Sequence, residues 1–434
     1  TFTVTKSDAI ISGTATIAGL PTGIAASQVI NNSSIGNTLT VTLSGVFPGA
    51  DSLNTDLTLS GLTLSKTVSW ATPTGQSLTY TQPSPQSSTG NPGTTFPTTT
   101  FTATKSGEVI SGTATIAGLP TGITATQSLS GSGVDNILTV TLAGVFPSVD
   151  SLNTNLTISG LTIITPLTIS YLIVAGGGGG GSYYAGGGGA GGMLSGNLTI
   201  APGTSFSATV GGGGGWNSNG SNSIFNSTTA IGGGRGGDST SGGYTWGIGG
   251  TGGSGGGSSG KRGGGSNTTG GQGTAGQGNN GGYGVSSSFG DTGGAGGGAG
   301  AAGTSPTSAV RYTVGGIGVQ SSITGSAVYY AGGGAGNGSY AGTGGAGGGA
   351  SAVNTGASPN ATANTGGGGA GGNMWPNSSY TPSNGGSGIV IIRYPNGYTA
   401  SVGGLGYGVL NATVSGSTDK YTTLTSGTGT ISIN

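Results

Sequence analysis

Six consecutive glycines, Gly176 to Gly181, follow directly on the strand-like run Leu167 to Ala175. Such a tract has few ways of being ordered. Fixing one residue's backbone costs roughly 1–2 kcal/mol, and Gly, which samples the most conformations when unfolded, loses the most. An ordered form must therefore recover that cost through many hydrogen bonds made together. Further blocks follow at Gly186 to Gly189, Gly211 to Gly215, Gly332 to Gly334 and Gly367 to Gly369, and Gly accounts for 106 of the 434 residues. Composition alone would place such a chain among low-complexity, disordered segments. The tracts are, however, interleaved with Tyr183-Tyr184, Trp216, Phe225, Tyr283 and Trp375, and aromatic side chains add nothing to a flexible spacer.

Polyglycine II offers the ordered alternative: a left-handed helix of about three residues per turn and about 3.1 Å rise, with no internal hydrogen bonds. Every N–H and C=O then points sideways and must be met by a neighbouring segment, at a distance only Gly permits. Ala is admissible where its methyl faces outward. A strand flanks the tract on each side, Tyr171 to Val174 before it and Ile389 to Ile392 after it. These two strands are expected to pair and clamp the bundle.

Ahead of the glycine-rich body lies a direct repeat. Thr1-Phe2-Thr3-Val4-Thr5-Lys6-Ser7 recurs as Thr100-Phe101-Thr102-Ala103-Thr104-Lys105-Ser106, and Val41 to Pro48 matches Val140 to Pro147 at the same offset. Alternation such as Leu39-Thr40-Val41-Thr42-Leu43 has the period of two expected of half-buried antiparallel strands. Each copy reads as a small immunoglobulin-like β-sandwich. The expected organisation is a first module over 1–80, a Pro/Ser/Thr/Gly-rich linker over 81–99, a second module over 100–166, the glycine-rich body over 167–394 and a small C-terminal β element over 395–434. The fold class is all-β, with essentially no α-helix.

Charge and chemistry are sparse. Nine basic and nine acidic residues cancel, charged residues make up 4% of the chain, and His and Cys are absent. Without imidazole or thiol there is no ordinary zinc site, thiolate nucleophile or disulfide. Nucleic acid and anionic membranes are captured by clustered Lys and Arg; the one adjacent pair, Lys261-Arg262, sits in a Ser/Gly run and reads as a solvated loop. No apolar run, Ile389 to Ile392 included, comes near the roughly 20 residues that span a bilayer. A glycosidase needs two facing carboxylates, but Asp51 and Asp150 occupy equivalent turns of separate modules and read as turn residues. No enzyme, cofactor, metal site, nucleic-acid partner or membrane insertion is expected.

The run Tyr171-Leu172-Ile173-Val174-Ala175 into Gly176 to Gly181, the motif Val210-Gly211-Gly212-Gly213 and the closing Ser387-Gly388-Ile389-Val390-Ile391-Ile392-Arg393-Tyr394 together resemble the glycine-rich domain of bacteriophage tail and tail-fibre proteins. The stretch is similar in kind to the tip adhesins of T-even-like phages, and the duplicated modules lie outside it. The resemblance implies a polyglycine II sandwich whose distal loops bind a host receptor, a glycan or outer-membrane protein, on an extracellular virion appendage assembled as a homo-oligomer. Candidate receptor-contact residues are Tyr183, Tyr184, Trp216, Tyr244, Trp246, Tyr283 and Trp375. The alternative is an extracellular filament subunit that polymerises by strand exchange, with Phe2, Val4, Ile431 and Ile433 in the exchanged termini.

Overall fold

A computed structural model describes all residues except 8, 35, 47–55, 132, 149–150, 240–246, 261–268, 287–290, 308–310, 339 and 374–380. The described chain is all-β and divides into two compact units, Thr1–Pro166 and Leu167–Asn434.

In the first unit the repeat is a repeat of register. Phe2 faces Val41 and Val4 faces Leu39, as Phe101 faces Val140 and Ala103 faces Leu138. The neighbouring strands Ile24–Asn31 and Ile123–Leu129 begin opposite Gly45 and Gly144 in turn. Both glycines sit at positive φ, near 147°, where a β-carbon would lie 2.0 Å from the carbonyl oxygen of Gly23 or Gly122. Side-chain amides are duplicated as well. Gln28 bonds both N–H and C=O of Ala15, and Gln127 does the same for Ala114. Asn37 bridges both backbone groups of Ile11, and Asn136 those of Ile110 at 2.8 and 2.7 Å. In each case a side-chain amide meets both backbone groups of one residue, as a ladder partner would. Asn136→Ala leaves two buried backbone groups unpaired. The expected loss is about 1–3 kcal/mol for each, measured as a lower urea midpoint of the first unit.

About half of the stretch expected to be a linker is strand. Ser87–Gly90 pairs antiparallel with the far half of Thr63–Trp70, and Thr95–Thr104 begins ahead of the second copy and pairs with Leu138–Val145. Gly90 lies flat against the Phe146 ring, where a β-carbon would be 2.1 Å from Cε2. Strand Thr63–Trp70 serves both copies. Its first three residues pair with Ile10–Ser12 of the first, and its end runs parallel to Ser151–Thr154 of the second. Trp70, Phe96, Phe101 and Phe146 are buried in the second core, with Trp70 edge-on to Phe96 at 6.0 Å. The expected boundary at residue 80 therefore does not separate two self-contained cores: Val68 and Trp70, from the first stretch, lie in the second core.

In the second unit the expected clamp is present. Strand Leu167–Val174 pairs with Ile389–Tyr394, Tyr171 opposite Ile392 and Val174 opposite Ile389. The pair is buried on both faces: Ile173, Val390 and Ile392 join one core, and Leu172, Val174, Ile389 and Ile391 another. That explains the near-continuous apolar runs, since a strand covered on both sides has no reason to alternate. The C-terminal residues form no separate element. Ala400–Thr413 and Lys420–Ile433 are strands of 14 residues each within this eight-stranded sheet. The second of them pairs along one edge with Ala400–Thr413 and along the other with Ile389–Tyr394 and then Thr204–Val210.

From the sheet the chain runs out into the glycine tracts, and the segment Gly176 to Gly181 is enclosed on every side. Its N–H groups reach three neighbours in rotation: Gly176 and Gly179 donate to Ser221 and Ser218, Gly177 and Gly180 to Gly386 and Ser383, Gly178 and Gly181 to Gly189 and Gly186. Its carbonyls accept from three further segments in the same rotation, through Gly233 and Gly236, Gly214 and Asn217, and Gly369 and Gly372. All twelve backbone groups are thereby paired, at 2.8 to 3.1 Å. The backbone repeats every three residues with six neighbours, three antiparallel and three parallel. A β-carbon on any of these six glycines would lie 1.9 to 2.2 Å from a neighbouring carbonyl oxygen. The alanines depart from expectation. Rather than facing outward, Ala335, Ala350, Ala352, Ala361 and Ala370 bring their methyls together in a buried cluster.

Candidate functional site

The first glycine segment leaves the sheet at Val174 and returns at Met193, so the turn at Ser182 to Tyr184 lies at the end of the bundle away from the sheet. The segment leaving Val210 turns at Trp216-Asn217 and comes back to Ser223. Its amide at Asn217 donates to Gly180, which brings this second turn beside the first. Tyr184 and Asn217 hold positive φ angles of 41° and 56°, the left-handed region that Asn tolerates better than most residues and Tyr rarely enters.

A buried polar staple joins the two turns. Asp238, 5% exposed, accepts from the Tyr183 N–H at 3.0 Å and from Asn217 Nδ2 at 3.1 Å, while Asn217 Nδ2 also reaches Ser182 Oγ at 3.1 Å. Ser239 Oγ donates to the Tyr183 carbonyl at 2.9 Å, and the Gly260 N–H donates to the Tyr184 carbonyl at 2.8 Å. Tyr183 and Tyr184 are half-buried by these contacts. Trp216 is exposed at 47%. Removal from water pushes the Asp238 carboxyl above its ordinary value of 3.8, against the lowering effect of the hydrogen bonds from Tyr183 and Asn217. A raised carboxylate pKa means the folded state binds more protons, so this contribution to stability is present below pH 3.8 and is lost as pH rises through the folded value. Melting temperature against pH should therefore show wild type losing ground to Asp238→Asn as pH climbs from about 4.

Of the sequence-derived candidates, the structure brings Tyr183, Tyr184 and Trp216 together. Tyr283 is exposed but lies on a different segment, where its N–H donates to Ser305 Oγ. Tyr244, Trp246 and Trp375, together with the Lys261-Arg262 pair and the turns at Asp51 and Asp150, lie outside the described residues. Phe225 belongs to the core, 5.4 Å from Phe206 and 5.5 Å from Tyr171. Among the described residues, the strand that carries Phe2 and Val4 pairs only with Thr38–Gly45. Ile431 and Ile433 are buried on a strand already paired along both edges, so they offer no free edge for exchange. Sequence reading missed Ser182, Asn217 and Asp238. The local signal was Asn directly after Trp216, a residue suited to a left-handed turn; the carboxylate partner is distant in sequence. Among the described residues no three of His, Cys, Asp and Glu come together as a metal site would require, and no helix is long and apolar enough to cross a membrane.

Compared with known proteins, residues 157–395, more than half of the chain, match the model of a family described as a glycine-rich domain. Neither a curated protein nor a solved structure matches the chain.

Proposed function

From the premise that the chain belongs to the glycine-rich domain family, we propose that it is a non-enzymatic extracellular structural or adhesive protein, a component of a phage tail fibre or a comparable virion surface. In this reading the glycine-rich body is a polyglycine II bundle and the turns at its far end contact a host receptor. The sandwich modules act as spacers, and the working form is a homo-oligomer. The observation that carries the proposal is the enclosed segment Gly176 to Gly181, whose three-residue rotation of lateral hydrogen bonds is what packed polyglycine II requires. A body so rigid, ending in turns held by a buried carboxylate, suits the display of a fixed aromatic surface. An exposed Trp flanked by neutral hydrogen-bonding groups suits sugars or a protein loop.

The test is binding of the purified chain to a panel of Gram-negative and Gram-positive cells and to a glycan array. Trp216→Ala should weaken any binding found by about tenfold or more with an unchanged melting temperature, because the side chain is exposed. Wild-type binding that survives Trp216→Ala and Tyr183→Ala together would remove this end of the bundle as the contact surface. Electron microscopy of the assembled protein distinguishes an appendage of fixed length from an open-ended polymer, the outcome expected of a filament subunit.

A further inference from the structure

The two copies of the repeated module are not equally complete. In the second copy, strand Thr157–Ser159 has Thr115–Ala117 on one side and Thr74–Gly75 on the other. Gln76 follows, bonding both the N–H and the C=O of Leu161 at 2.9 and 2.6 Å. The Thr74 and Gln76 amides donate to Leu156 and Ile158. Thr79–Tyr80 then covers the outer edge of Thr95–Thr104 opposite Ala103 and Thr104. In the first copy, the equivalent strand Thr58–Ser60 pairs only with Thr16–Ala18, and Phe2–Thr5 pairs only with Thr38–Gly45, among the described residues.

Burial follows the same division. Leu156, Ile158, Phe101 and Ala103 are at most 2% exposed. Their counterparts Leu57, Leu59, Phe2 and Val4 are only half-buried. The second core takes in Val68, Trp70 and Phe96, with Leu78 and Tyr80 packed against it, all from residues that precede the repeat. Among the described residues, the first core gathers only Ile11, Ala15, Leu39 and Val41 as fully buried side chains.

We infer that the first copy carries an acceptor edge for an extended Gly-Gln-x-Leu-x-Tyr segment, of the kind that Gly75 to Tyr80 supply to the second copy. The occupant is an extended segment of that pattern, for which residues 68–99, as they lie on the second copy, are the template. Strand addition of this type gains affinity from main-chain hydrogen bonds and specificity from the side chains that alternate into the core. Here the Gln amide sets the register, because it must meet both backbone groups of Leu62, the counterpart of Leu161.

The experiment joins a copy of residues 68–99 in front of Thr1 of the full chain and follows amide hydrogen exchange. Protection of Phe2 to Thr5 and Leu57 to Leu62 should rise at least about tenfold, while the same graft carrying Gln76→Ala in the added segment should lose most of that gain. A synthetic peptide of residues 68–99, added to the unmodified chain, gives the same readout should the graft fail to fold. Unchanged protection with the peptide at millimolar concentration overturns the inference. So does equal protection by the Gln76→Ala segment. Protection that rises with concentration of the unmodified chain alone also overturns it, assigning the edge to a second copy instead.

Discussion

Gly180→Ala is expected to destabilise the glycine-rich unit severely, whereas Gly212→Ala, in a neighbouring tract, is expected to leave its stability unchanged. At Gly180 a β-carbon would lie 1.9 Å from the Ala370 carbonyl oxygen and 2.4 Å from its carbon, and both are backbone atoms that no rotamer change can move aside. Accommodating the methyl means parting two segments and breaking lateral bonds that have no water to replace them. Overpacking of a yielding core costs about 1–3 kcal/mol; loss of buried backbone bonds as well takes the expected cost beyond about 4 kcal/mol. For a unit of this size that corresponds to a fall in melting temperature of about 10 °C or more. At Gly212 nothing lies within 4 Å of the added carbon, and an exposed substitution of that kind stays within about 0.5 kcal/mol. Thermal melts of the two variants decide the matter. Equal effects would mean that glycine is needed there for chain freedom rather than for close approach.

Trp70→Ala should loosen the second sandwich, although Trp70 belongs to the stretch expected to complete the first. The indole is 2% exposed and packs edge-on against Phe96, which in turn meets Phe146 at 5.2 Å. Removing a buried Trp costs about 3–5 kcal/mol. In hydrogen exchange, Leu138 to Leu142 should lose protection while Leu39 to Leu43 retain theirs. Trp70→Phe keeps an aromatic ring against Phe96 and removes an indole N–H that is buried without a hydrogen-bond partner. It should cost much less than Trp70→Ala. Loss of protection in the first copy alone would return Trp70 to the first module.

Much of this architecture was legible because it rests on period and repetition. Alternation around Leu39 to Leu43 marked strands, the constant offset marked a duplicated module, and the apolar runs at Tyr171 to Val174 and Ile389 to Ile392 marked a paired clamp. What escaped had no local signature. Ser87-Ser88-Thr89-Gly90 is a strand with no apolar residue, held by the ladder of Thr63–Trp70 rather than by its own side chains, and so it reads as linker. The buried alanine cluster depends on segments far apart in sequence. So does the Asp238 staple, whose partners Tyr183 and Asn217 are 55 and 21 residues away. The long final hairpin was seen only in part, because glycines such as Gly403, Gly404 and Gly427 interrupt its alternation.

The strand Thr63–Trp70, zipped at its start to one copy and at its end to the other, has a mechanical consequence. Tension applied along the chain meets no slack hinge between the two sandwiches. It is borne by the pairings of that one strand, with Ile10–Ser12 of the first copy and Ser151–Thr154 of the second. Two copies joined in this way are expected to yield at higher force than the same pair tethered by a free peptide.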